Sequence, residues 1–273
     1  MPLSDTGSFG YDGFKIAYEA RGTRGHRGRR PVVLIHGLLL SRIHHYPLAD
    51  VLAEAGNQVV LIDLLGHGES DKPKHSRHYR MELFGRQLIA LLDHLGIDEA
   101  VVGGSSLGAN VTLEAAVAAP ERVRAMILEM PVLERAAPAA GLLFLPLTIA
   151  YSQAATLFDW LGAALRQLPR GLNVYYDALL ELLAREPVSS AAVLHGLLTG
   201  RIAPHPSERE KIAAPALVMG HGHDLLHPFS DAEALSRELP EGELVRSSSF
   251  FELRFPPNRL SDRIVTFLNE VWD

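Results

Sequence analysis

Six short apolar runs punctuate this sequence at intervals that helices could fill: Val32 to Ile35, Val59 to Ile62, Val101 to Gly103, Ala125 to Leu128, Ala216 to Met219 and Leu244-Val245. Runs this short suit strands, and several are apolar at consecutive positions, so both faces of each strand need cover. Stretches with helical spacing lie between them: Tyr79 to Leu95, Val111 to Ala119, Asp231 to Leu239 and Leu260 to Val271. Strand alternating with helix predicts an α/β fold around a mostly parallel sheet. Before the first run, Phe9 to Tyr18 reads as a β-hairpin with Asp12-Gly13 as its turn. A chain of 273 residues is long enough for one sizeable core, or for two domains.

The rhythm breaks between Met130 and Pro206, where the sequence is long and helix-rich. Within it, Ala136 to Phe158 carries no charge. A membrane span needs about 20 apolar residues, but Pro138, Gly141 and Pro146 interrupt this run, Ser152-Gln153 is polar, and a span here would tear the sheet apart. Residues 131–206 are therefore expected to form a helical cap inserted into a core made of 1–130 and 207–273, with no membrane span. A pair of helices lying on a membrane surface is the other reading.

Composition removes several classes. The formal charge of −6 gives no reason to expect a nucleic-acid partner. Arg21, Arg24, Arg27, Arg29 and Arg30 crowd together, and read as a solvated loop before a buried strand rather than an anion site. Cysteine is absent, which excludes disulfides, thiolate metal sites and a cysteine nucleophile. No H-E-x-x-H or similar spacing joins the histidines, so no metal is expected. No phosphate-cradling glycine loop follows the first parallel strand, so no cofactor is expected either. The N-terminal segment has no basic stretch followed by an apolar run, which points to a cytoplasmic protein. The oligomeric state is not legible.

Gly104-Ser105-Ser106-Leu107-Gly108 carries the strongest chemical signal. It follows the run at Val101-Val102 and opens the helical stretch through Val111, which is the strand–turn–helix setting a G-x-S-x-G motif requires. Small residues at 104 and 108 let strand and helix pass closely, and the turn lifts the Ser106 side chain above the sheet. The free N–H groups of the following helix point at the same place.

With that motif, four segments in order resemble the α/β-hydrolase fold superfamily, in its serine-nucleophile, esterase-like branch. Val33-Leu34-Ile35-His36-Gly37 is similar to its strand and HG turn. Asp63 to Ser70 is similar to its D-x-x-G-x-G-x-S loop. The elbow is third, and Ile212 to Gly220 leading to Asp224 and Pro228 is similar to the strand that carries the triad acid. The resemblance implies an eight-stranded core with a helical cap. It also implies Ser106 as nucleophile, Asp224 as acid, and the backbone N–H groups of Leu38 and Leu107 as the oxyanion hole. His36 and the glycines at 66 and 68 would be structural, and Asp224 has the alternative of capping a turn. A serine at the elbow does not match the dehalogenase and epoxide-hydrolase branches.

One part of the pattern is missing. The family takes its general base from the loop after the last strand. Counting back from Phe267-Leu268 puts that position at about Phe250, and no histidine occurs from Pro228 to Asp273. A serine hydroxyl is a poor nucleophile without an adjacent base, and loss of the base costs a serine protease about 10⁶ in turnover. His227, three residues after Asp224, is the candidate substitute; a pocket-wall or surface residue is its other reading. His44 and His45, after the oxyanion loop, are further candidates, whereas His221 and His223 read as solvated. Glu252 and Arg254 lie in the loop that lacks the histidine and read as a surface ion pair, with a contact to a polar substrate group as the alternative.

These features lead to the expectation of a serine hydrolase acting on a small or medium apolar acyl compound, with the apolar cap side chains Leu142, Leu143, Phe144, Leu145, Leu147, Phe158 and Trp160 lining a greasy pocket. The missing histidine keeps two rivals open: a non-hydrolytic lyase or cyclase, and a catalytically impaired binding protein.

Overall fold

The computed structural model describes residues 4–22, 30–222, 224, 226–249 and 251–273. All six apolar runs form strands: β3 (Pro31–Ile35), β4 (Gln58–Ile62), β5 (Ala100–Ser105), β6 (Val123–Glu129), β7 (Ala216–Gly220) and β8 (Gly242–Arg246). They follow a hairpin of β1 (Ser4–Tyr11) and β2 (Phe14–Arg21). The hairpin turns at Asp12 and Gly13, whose φ values of 51° and 79° are those a two-residue type I′ turn demands. The eight strands form one sheet in the order β1-β2-β4-β3-β5-β6-β7-β8. β1 and β2 are antiparallel to each other, β2 is antiparallel to β4, and every other neighbouring pair is parallel.

Helices cover both faces, as the apolar runs require. Val32, Leu34, Val59, Leu61, Leu217 and Met219 point to one face, where they pack with α1 (Tyr46–Glu54) and α10 (Arg259–Trp272). Val33, Ile35, Val60, Ile62, Val102 and Val218 point to the other, against α2 (Met81–Leu95) and α3 (Leu107–Ala118). The alternation of Cβ direction along a strand splits each apolar run between the two cores. The long segment between β6 and β7 holds α4 (Ala137–Gln153), α5 (Ala155–Leu165), α6 (Val174–Leu183) and α7 (Pro187–Leu198); α8 (Pro206–Arg209) precedes β7, and α9 (Phe229–Glu238) links β7 to β8. Through Tyr151, Ala191 and Leu194, the α4–α7 segment packs on Leu38 and Leu39, just beyond β3. Among the described residues no single helix is long and apolar enough to cross a membrane; α4 and α5 together are apolar enough, but are bent by 92° at Ala154.

The chain leaves β3 toward β4 on one side and reaches β5 on the other, so the carboxyl ends of β3 and β5 flank the point where the strand order reverses. Ile35 is registered with Gly104 there. Open α/β sheets bind ligands in that crevice.

Of the arginine cluster, residues 23–29 lie outside those described. Arg21 is ion-paired with Glu19 and Asp50, while Arg30 bonds Asn269 and Asp273.

Candidate active site

Ser106 directly follows β5, with φ 54° and ψ −110°. A non-glycine residue there carries strain of about 1–3 kcal/mol, held in place only by its surroundings. Those surroundings are visible. The Ser106 N–H donates to the Glu129 carbonyl at 2.8 Å, and Asn110 N–H donates to the Ser106 carbonyl at 3.2 Å, starting α3. A Cβ at Gly104 or Gly108 would press on the Ile35 carbonyl oxygen, well inside contact distance. These two glycines let β3, β5 and α3 converge beneath the serine.

His227 reaches the serine from the loop after β7. Its Nε2 lies 2.9 Å from Ser106 Oγ, and its Nδ1 lies 2.8 Å from Asp224 Oδ2. The other Asp224 oxygen accepts from the N–H groups of Leu226 at 2.8 Å and His227 at 3.1 Å. Burial raises the Asp224 carboxyl, but its hydrogen bonds with His227 and these backbone donors outweigh that and hold it below the usual range. An ionised Asp224 can only accept, so Nδ1 carries the imidazole proton and Nε2 is left to accept from the serine hydroxyl. Ser106, His227 and Asp224 thus form one hydrogen-bonded line.

The other histidines take different places. His45 is buried with Nε2 3.0 Å from the Ile35 carbonyl, and burial lowers it to about 4. His44 beside it is buried and also lowered well below the usual imidazole value, first by burial. His36 accepts from Leu64 N–H at Nε2, so its Nδ1 carries the proton and donates to Gly37 O at 2.8 Å, which holds the turn before Leu38. His221 departs from expectation: it is buried, not solvated, with Nδ1 3.0 Å from the Gly222 carbonyl and Nε2 3.6 Å from Asp224 Oδ2. His223 and Phe250 lie outside the described residues.

Leu38 and Leu107 both line the pocket that opens on Ser106. Leu107 is the first residue of α3, where an N–H has no acceptor within the helix. The loop bearing Leu38 is pinned by Arg185, a residue the sequence reading passed over. Arg185 donates to the carbonyls of Leu39 at 3.2 Å and Gly66 at 2.6 Å, and burial lowers it to about 10. Leu39 itself has φ 61°. The D-x-x-G-x-G-x-S loop is bracing too: buried Asp63 accepts from Arg42 N–H at 2.7 Å and Glu69 N–H at 3.0 Å, and a Cβ at Gly68 would strike its carboxylate.

Arg254 also departs from expectation. It is no surface residue: its side chain is 2% exposed, and Nη2 lies 2.5 Å from Glu129, which also accepts from Ser105 Oγ. The short helical turn Glu252–Arg254 carries it inward, while Glu252, largely covered, accepts from Ser248 N–H and pairs with the exposed Arg259. The cation thus reaches a buried carboxylate under the elbow, not a substrate group. Nothing in the local pattern distinguishes an inward from an outward arginine in such a loop; the glutamate ending β6 was the available signal.

The pocket has a free volume of about 70 Å³ and is walled by Met81, Val132, Ala140, Phe144, Leu194 and Leu197 among others. Of the apolar cap residues expected around it, Phe144 is in the wall, whereas Leu142, Leu143, Leu145 and Trp160 point away, 53–80% exposed. Helical spacing sets residues 140 and 144 on one face of α4 and 142, 145 and 149 on another. No group of three potential metal ligands occurs among the described residues.

The sequence pattern of the alpha/beta hydrolase fold family matches residues 30–246. The chain belongs to the α/β-hydrolase family. Among curated relatives, a proline iminopeptidase of Clostridioides difficile is 35% identical over 98 residues, 36% of this chain and 33% of that protein. The match therefore spans about a third of that relative's length. Among solved structures, a thermophilic esterase from Thermogutta terrifontis superposes with a TM-score of 0.76 at 22% identity, covering 100% of both chains. The enol-lactonase from Burkholderia xenovorans LB400 does so with a TM-score of 0.74 at 19% identity, covering 97% of this chain and 99% of that one. At those identities the two structures speak for the fold.

Proposed function

We propose that this α/β-hydrolase-family protein is a serine hydrolase of the carboxylic-ester type acting on a small or medium apolar acyl compound. One observation carries the reading: a histidine from the β7 loop has Ser106 on one ring nitrogen and Asp224 on the other, at 2.9 and 2.8 Å. The base that the family takes from the last loop is thereby supplied from the loop that carries the acid. Ser106 Oγ attacks the ester carbonyl as His227 Nε2 takes its proton, and Asp224 steadies the imidazolium. The N–H groups of Leu38 and Leu107 receive the negative charge of the tetrahedral intermediate. Collapse expels the alcohol, which takes the proton from His227. Water, activated by the same imidazole, then attacks the acyl-enzyme and releases the acid and free Ser106.

The acyl group lies in the apolar pocket under α4, and a free volume of about 70 Å³ favours the short end of the range. The segment 131–206 acts as the cap that closes it. Turnover of p-nitrophenyl esters of increasing chain length tests the reading. Wild type should hydrolyse short esters, Ser106→Ala should not, and Asp224→Asn should lower kcat by about 10³–10⁴. Ala140→Trp, which fills the pocket, should shift preference toward acetate by about tenfold or more. No wild-type turnover above the uncatalysed rate on any ester refutes the assignment.

A further inference from the structure

The turn that carries Leu38 is strained, and the strain directs attention to what holds it. Leu40 N–H donates to the Gly37 carbonyl at 3.1 Å, closing a four-residue turn, and Leu39 stands third in it with φ 61°. Such a turn normally takes glycine at that place, because a side chain is crowded in the left-handed region. A conformation of this kind persists only where its surroundings over-determine it.

For Leu39 those surroundings belong to the segment between β6 and β7. Its side chain is buried among Tyr151 of α4 and Ala191 and Leu194 of α7. Its carbonyl accepts from Arg185 Nη1 at 3.2 Å, a residue of the short connection between α6 and α7. Two positions on, Ser41 Oγ donates to the Glu181 carboxylate of α6. Arg185 is itself fixed by two further bonds: Nη2 donates to the Gly66 carbonyl at 2.6 Å, and Nε to Ser190 Oγ at 3.1 Å. One guanidinium thus ties the loop after β3 to the loop after β4, and the planar fork of donors is what lets a single side chain hold two carbonyls in a set relation. Burial lowers the group only to about 10, so it is a cation at neutral pH and its bonds to the carbonyls are charge-assisted.

We infer that Arg185 is a positioning residue for the oxyanion hole: by holding the Leu39 carbonyl it sets the direction of the neighbouring Leu38 N–H at Ser106. The inference rests on the serine-hydrolase reading above, which uses that N–H and gives Arg185 no part in the reaction. Arg185 is not among the residues lining the pocket at Ser106, so it acts through the turn and not on the substrate. The segment that closes the pocket therefore also completes the hole. Lifting it from the core would release Leu39 and disarm the donor in the same movement.

Arg185→Met and Arg185→Lys, each verified as folded by circular dichroism and assayed on p-nitrophenyl acetate, test this. An oxyanion donor is worth about 10²–10³ in kcat, and a displaced one forfeits part of that, so Arg185→Met should lower kcat by about 10–10²-fold with KM within about twofold of wild type. Arg185→Lys keeps the cation but lacks the fork, and should lose less, about threefold or more. A short-chain trifluoromethyl ketone adds to the serine and sets an oxyanion in the hole; it should bind Arg185→Met more weakly by about the factor lost in kcat/KM. A merely structural arginine would lower the urea midpoint without these effects, so wild-type kcat in the folded variants, or ketone binding as tight as in wild type, overturns the proposal. Hydrogen exchange reads the turn without any turnover. The Leu40 and Arg42 amides, bonded to the Gly37 carbonyl and Asp63, should exchange about tenfold faster or more in Arg185→Met while those of β3 keep their rates. Turn amides that keep the wild-type rate also overturn it. A wild type inert on every ester would refute the hydrolase reading, and exchange alone would then decide whether Arg185 holds the turn.

Discussion

Replacing Arg254 with methionine isolates the buried ion pair beneath the elbow. The substitution keeps most of the apolar stem and removes the charge. In wild type, Arg254 is 2% and Glu129 9% exposed at the side chain, Nη2 is 2.5 Å from the carboxylate, and Ser105 Oγ donates to the same oxygen. Burial pushes the Glu129 carboxyl up, but Arg254 and Ser105 pull it below its ordinary value, so it is held as an anion. Without the arginine, that anion has lost its cation in a buried site. Breaking one side of a buried pair costs about 3–5 kcal/mol, much of it from the partner left behind. Against a total stability of about 5–15 kcal/mol, Arg254→Met should lower the urea midpoint by about 1 M or more. Adding Glu129→Gln should restore more than half of the loss, because a neutral amide can still accept from Ser105. Urea unfolding followed by circular dichroism on wild type, both single variants and the double variant closes the cycle. A loss below about 1 kcal/mol for Arg254→Met, or a double variant no more stable than Arg254→Met alone, would show that the pair is not coupled as described.

Two further outcomes follow from the same packing. His36, His44, His45 and His67 are all lowered by burial, His45 to about 4, so each is neutral when folded and takes a proton near 6.5 when unfolded. The unfolded state binds more protons across that window, so the urea midpoint should fall steadily from pH 7 to pH 5; a flat profile would contradict the burial of these rings. Gly108→Ala would drive a Cβ into the Ile35 carbonyl, where neither backbone can yield, and should cost about 1–3 kcal/mol or more. An unchanged melting temperature for that variant would refute the close approach.

What could be read from the sequence depended on how local its cause was. The strands at Val32 and Val59 and the turn at Asp12-Gly13 were legible because apolar runs and turn residues act within a few positions. β1 begins earlier than the alternation suggested, at Ser4, because its pairing with β2 supplies the hydrogen bonds that its polar sequence does not advertise. Ser106 and its flanking glycines were visible because the elbow is a local steric problem. His227 was visible only as a candidate among several, because its distance to Ser106 spans 121 positions. Arg254 was misread as superficial because its burial is decided by a partner 125 positions away, Glu129; His221 was misread as solvated although the carboxylate near it, Asp224, is only three residues on, because the sequence does not show which way a loop turns its side chains. The outer stripe of α4 was counted toward the pocket because composition does not tell which side of an all-apolar helix faces inward.

The proposed role of His227 as the base is tested most directly by intact-mass analysis after incubation with a fluorophosphonate. Wild type should gain one adduct, mapped to Ser106, and Ser106→Ala should gain none. His227→Ala, with its fold verified, should label slower by about 10³-fold or more, because the serine loses the imidazole that takes its proton. Labelling of His227→Ala at the wild-type rate would contradict the account and return the search to another base; no labelling of wild type would mean that Ser106 is not activated at all.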